Sequence, residues 1–111
     1  MLEEDYVRFQ KKKVAEIRAI SIEKLIEDTK SLPISEDSRY TVSETLWPSS
    51  VKTLSPVLVF RSDKVLTLYF YRMGGVEDGV SLFIDRKPPA EAPHVKYTDF
   101  GDGIVWFYSR L

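Results

Sequence analysis

Residues 57–72, VLVFRSDKVLTLYFYR, constrain this chain more than any other stretch, because they carry a hairpin pattern that is apolar on both faces. Val57 to Phe60 and Val65 to Tyr71 are nearly all β-branched or aromatic, the types that fill a pleated surface. Arg61, Ser62, Asp63 and Lys64 interrupt them, and serine and aspartate side chains bond nearby backbone in turns. If Arg61 pairs with Lys64, then Phe60 stands opposite Val65, Val59 opposite Leu66, Leu58 opposite Thr67, and Val57 opposite Leu68. Opposed residues share a face and successive residues alternate. One face is then Val57, Val59, Leu66, Leu68 and Phe70; the other is Leu58, Phe60, Val65, Thr67, Tyr69 and Tyr71. A half-solvated antiparallel strand carries polar residues on its outer side. Here both sides call for cover, by another segment, a second subunit or a ligand.

The first candidate for cover is the amino-terminal segment. Residues 3–30 contain no glycine or proline and are rich in Glu and Lys, which predicts a helix. Its apolar residues form two stripes. Leu2, Tyr6, Phe9, Ile17 and Ile20 make one; Ala15, Ala19, Ile22, Leu25 and Ile26, with Val7 and Val14 nearby, make the other on roughly the opposite side. A straight helix would pack one stripe on the sheet and offer the other to a partner. A break near Ile20 and Ser21, with Ser21 capping a second helix, would instead let both segments face one core. A strand over residues 14–20 is a third arrangement, and the helix is preferred.

Downstream, Pro33 and a Ser-Glu-Asp-Ser cluster mark residues 32–38 as a linker, and residues 39–46 are expected to hold a short edge strand. Pro48 and Pro56 bracket a short helix whose packing residues are Trp47, Val51 and Leu54. After the hairpin, residues 73–79 with Gly74, Gly75 and Gly79 read as a flexible connection, and residues 80–85 as a third strand. Residues 86–93 hold three of the six prolines and form a loop. A last hairpin joins residues 95–100 to 104–109 through Gly101-Asp102-Gly103. The expected fold is α+β: one domain over residues 1–111, with the amino-terminal helix packed on a four- or five-stranded antiparallel meander.

Composition narrows the function classes. At 111 residues and 43% hydrophobic, the chain can bury roughly 65% of its unfolded surface, enough for one core without staples. Cysteine is absent, which excludes disulfides and thiolate chemistry and suits a reducing compartment. No apolar run approaches the roughly 20 residues of a membrane span, and the acidic start is unlike a signal peptide, so a cytoplasmic protein is expected. Residues 1–30 hold seven acidic and seven basic residues, and residues 57–111 again seven of each. No part is polarised, which argues against a dedicated nucleic-acid or membrane surface.

No chemical motif stands out. His94 is the only histidine, so a histidine metal cluster is impossible; Asp99 or Asp102 could pair with it, but a surface role is preferred. The glycines at 74, 75 and 79 match no phosphate-binding spacing. Lys11, Lys12 and Lys13 point three ways on a helix and read as a solvated face. No metal and no cofactor is expected.

The expected function is therefore non-enzymatic binding, by a homodimer that uses an apolar and aromatic sheet or helix face. Two alternatives stand beside it. As fold analogy alone, a helix laid across a curved meander resembles the cystatin-like and nuclear-transport-factor-like cones. That analogy implies a pocket between helix and sheet for a small apolar ligand, lined by Tyr69, Tyr71, Trp106 and Tyr108, in which Asp99 or His94 could do acid–base work. The other alternative is an inhibitor or immunity-type protein whose tyrosine face meets a heterologous partner.

Overall fold

A computed structural model describes residues 3–30, 32, 42–62, 64–83 and 94–110. Helices α1 (Glu3–Ile20) and α2 (Ile22–Thr29) open the chain, and a 3₁₀ turn (Glu44–Leu46) leads into α3 (Ser49–Leu54). Five strands follow: β1 (Leu58–Arg61), β2 (Val65–Met73), β3 (Val76–Phe83), β4 (Val95–Gly101) and β5 (Ile104–Arg110). They form one antiparallel sheet in the order β1-β2-β3-β5-β4. The α+β architecture expected from the sequence is present. The first three strands meander, whereas the last hairpin docks by its second strand and leaves β4 at the edge.

Ser21 separates the first two helices. Its φ of 89° leaves the helical region, and its Oγ accepts the Lys24 backbone N–H at 3.1 Å, capping α2. The break resolves the two stripes. Val14 and Ile17 of α1 and Ile22 and Leu25 of α2 join one core, with Tyr6, Phe9, Ile20 and Ile26 packed beside it. Ala15 and Ala19 are left exposed and Val7 is 38% exposed, so there is no second long helical face.

α3 begins after Pro48 and ends at Ser55 in the left-handed region, with Val51 and Leu54 fully buried and Trp47 against the core. Lys13 turns inward, contrary to the solvated face expected for the lysine run. Its Nζ donates to the Leu54 carbonyl at 2.7 Å, at the carboxyl end of α3, and lies 5.1 Å from the centre of the Phe70 ring. Ser50 Oγ donates to Asp28 at 2.6 Å, tying α3 to α2 and, with help from Lys24, holding the Asp28 carboxyl below the usual carboxylate range.

Of the expected edge strand over 39–46, residues 42–46 are described and form no strand. Val42 makes one bond to the sheet, from its N–H to the Val59 carbonyl at 2.8 Å, before the chain turns into the 3₁₀ helix. Residues 33–38 of the expected linker, the loop over 86–93, and Ile84 and Asp85 of the expected third strand lie outside the described residues. That strand starts earlier than expected, at Val76, because Gly74 and Gly75 make a tight turn at positive φ and pairing resumes at once.

The first hairpin pairs Leu58 with Tyr69, Val59 with Leu68, Phe60 with Thr67 and Arg61 with Leu66. This register is displaced by two residues from the one expected, because the turn closes one residue later, with the Ser62 N–H donating to the Val65 carbonyl at 2.9 Å. Ser62 closes it by accepting the Val65 N–H on its Oγ at 3.1 Å. A shift of two leaves Val59, Leu66 and Leu68 on the inner face and Leu58, Phe60, Thr67 and Tyr69 on the outer, whereas a shift of one would have inverted them. Val57, expected on the core face, is 53% exposed just before the strand. Val59, Leu66, Leu68, Val80, Leu82, Ile104 and Trp106 form the inner face under the helices, each exposed by at most 1%. Among the described residues no helix is long and apolar enough to cross a membrane.

Candidate functional site

The ladder registers divide the sheet's side chains into two sets. On the outer face, away from the helices, one row runs Leu58, Tyr69, Gly79, Phe107 and Tyr97 across all five strands. A second runs Phe60, Thr67, Ser81, Val105 and Asp99, and a third runs Arg72, Glu77, Ser109 and Val95.

Gly79 stands at the centre of the first row. A Cβ there would run into the Leu68 carbonyl of β2, so the position accepts only glycine. With no side chain between them, the rings of Tyr69 and Phe107 meet across β3 at 5.1 Å in a T-shaped contact, and Phe60 continues the aromatic run at 5.3 Å from Tyr69. Around these rings Thr67, Glu77, Ser81, Val95, Tyr97 and Ser109 line a concavity of about 330 Å³. Arg72 pairs with Glu77 at its margin at 2.8 Å. Burial, with the nearby Glu77 charge, pushes the Tyr69 hydroxyl up, so it stays protonated and able to donate.

The inner face holds a different kind of site. Trp106 stacks on Phe70 with ring centres 5.7 Å apart and meets Phe9 and Tyr6 edge-on. Its indole N–H donates to the Tyr6 hydroxyl at 2.9 Å. Gln10 and the buried Asp78 carboxyl lie near the same hydroxyl. Burial raises the pKa of Tyr6 and of Asp78, and the Tyr6 hydroxyl offsets part of the rise at Asp78. Asp78 Oδ1 is buried without a hydrogen-bond partner, so the protonated acid suits this place better than the carboxylate.

The four tyrosine and tryptophan residues expected to line one pocket are not brought together. Tyr69 belongs to the outer face. Trp106 is 1% exposed in the core, and Tyr108 is half-buried against Tyr6 on that same inner side. Tyr71 parts from Tyr69 because β2 carries a bulge: Tyr69 pairs with Gly79 but Tyr71 with Asp78, leaving Phe70 as the extra residue. The bulge puts Tyr71 level with an inner-face residue at the sheet's margin, 45% exposed. Nor do His94 and Asp99 form a pair. They stand near opposite ends of β4, five residues or about 17 Å apart, and face opposite sides. Asp99 Oδ1 accepts the Gly101 N–H at 2.8 Å instead.

Sequence reasoning missed Phe107, Gly79, Glu77, Arg72 and the hydroxyls of Thr67, Ser81 and Ser109 as neighbours on one surface. The glycine was the available signal, since an isolated glycine within a strand marks a bulge or a close approach. Among the described residues no group of three or more His, Asp or Glu comes together as a metal site. The chain matches no family model, no curated protein and no solved structure.

Proposed function

We propose that this protein works by binding through the outer face of its sheet, and that the occupant of that face is a second copy of the chain. The supporting observation is the row Leu58, Tyr69, Phe107 and Tyr97, an apolar and aromatic band crossing a face on which no described helix packs. Size allows a small interface. Five strands about 4.8 Å apart and rows about 3.4 Å per residue give a face of roughly 24 by 20 Å, about 480 Å² in plan, a little over half of the ~800 Å² each partner contributes to a standard interface. Charge is compatible as well. In these rows Arg72 and Glu77 neutralise each other and Asp99 is engaged by Gly101, so a like face would meet little repulsion.

Sedimentation at micromolar concentrations tests this, with a dimer expected. Tyr69→Ser combined with Tyr97→Ser should weaken association at least about tenfold while the circular dichroism is retained. Tyr71→Ser, on the other side of the bulge, should leave the dimer intact. A wild-type monomer at those concentrations overturns the proposal.

The concavity favours one rival, a small-molecule site. Its volume of about 330 Å³ lies at the lower end of the roughly 300–1,000 Å³ range of such sites. A monomer whose Tyr69 and Phe107 resonances shift on adding small aromatic or sugar probes would support that reading over the dimer.

A further inference from the structure

The far end of the β4–β5 hairpin carries an arrangement that the outer-face reading does not use. Lys96 is paired with Tyr108 across the ladder, and His94 lies opposite Arg110, whose N–H donates to the His94 carbonyl at 3.2 Å. Because alternate residues share a face, all four side chains project from the inner side of the sheet, as a two-by-two square. They line one depression of about 280 Å³.

Across a ladder, opposite charges stabilise the pairing and like charges directly opposite disfavour it, and diagonal neighbours roughly 7–8 Å apart remain within reach of long side chains. Here Lys96 and Arg110 are diagonal neighbours with an imidazole completing the set, and none of these three side chains has an ion-pair or hydrogen-bond partner among the described residues. Elsewhere the described cations commonly find an acid, as in Arg8 with Asp5, Lys13 with Glu16, Lys24 with Asp28, Lys30 with Glu27 and Arg72 with Glu77. The carboxyl on the same ladder row, Asp78, is separated from Lys96 by Tyr108 and is buried beneath α1. Tyr108 itself is held in place by the edge of Tyr6 at 6.2 Å, which gives the square one rigid corner carrying a hydroxyl.

We propose that this square is an anion site for a phosphomonoester group. The guanidinium supplies a planar pair of N–H donors, the ammonium a point charge, and the imidazole and phenol further N–H and O–H donors around a tetrahedral oxyanion. An exposed pair of cations could attract any anion by charge. What distinguishes this place is donors of four geometries converging on one depression.

The test is an NMR titration of the isotopically labelled full chain with inorganic phosphate, against sodium chloride at matched ionic strength. Saturable shifts confined to His94, Lys96, Tyr108 and Arg110 are expected with phosphate and not with chloride. Lys96→Gln and Arg110→Gln, both exposed positions, should each weaken the response by about tenfold, the loss of one charge-assisted bond. A parallel arm uses phosphatidylcholine vesicles containing phosphatidic acid. Tighter binding to those vesicles than to free phosphate assigns the group to a lipid headgroup, and the reverse assigns it to a free ligand. Equal shifts with phosphate and chloride, or a phosphate response unchanged in both variants, would overturn the proposal.

Discussion

The two faces of this sheet are built from similar residues and do different things with them. On the inner side the aromatic residues are closed in: Phe70, Trp106 and Phe9 pack against one another, and the polar tips of Trp106 and Tyr6 satisfy each other at 2.9 Å. On the outer side Tyr69, Phe60 and Tyr97 are only half-buried, and the hydroxyls of Thr67, Ser81 and Ser109 stand among the rings. Aromatic content alone therefore does not separate core from surface. Nor do the helices alone separate them: α1 and α2 cover one side, yet Val105 at 1% and Phe107 at 8% exposed are buried on the other.

Substitution of the aromatics breaks this comparison most sharply. Trp106→Ala should cost about 3–5 kcal/mol, because it empties a fully packed site and leaves the Tyr6 hydroxyl without its donor. Tyr69→Ala, on the outer face, should cost the isolated fold about 1 kcal/mol, near the average for point substitutions. Urea denaturation of both variants checks the contrast, and equal losses would mean that the outer face is core.

A smaller effect is expected at Lys13, the cation that the inner side takes in. Lys13→Met keeps the stem over Phe9 and Phe70 but removes the donor to the Leu54 carbonyl, and should cost about 1–2 kcal/mol. Lys11→Met and Lys12→Met, exposed in the same run, should be near neutral when all three variants are compared by urea denaturation.

The smallest predicted change is one of sign. Burial raises the Asp78 pKa, so the folded state binds a proton more tightly than the unfolded chain. Stability contributed by that proton is full below the unfolded carboxylate value of about 3.9 and is lost as pH rises through the folded value. Asp78→Asn keeps the shape without the charge. It should match the wild type near pH 4, be the more stable of the two at pH 7, and show a shallower decline between them in denaturation curves taken across that range.

Much of the architecture is legible in the chain. The helical segment, the cap at Ser21, the proline-bracketed helix, the two hairpins and the alternation of faces all follow from local rules about backbone preference and period. The true register of the first hairpin differs from the expected one by an even step, which preserves the faces of residues 58–69. The grouping of site residues is legible only in part. One extra residue at Phe70 moves Tyr71 across the sheet from Tyr69, and no local preference in residues 65–73 announces that bulge.

By itself the sequence determined the class of fold and the presence of more apolar surface than one helix can cover, because residue type and spacing act within a few positions along the chain. Tertiary structure alone decided that Lys13 turns inward, that Trp106 and Tyr69 lie on opposite sides, and that β5 rather than β4 joins β3. Those outcomes depend on which strands become neighbours and where a ladder slips, and such pairings are chosen by packing between segments far apart in sequence.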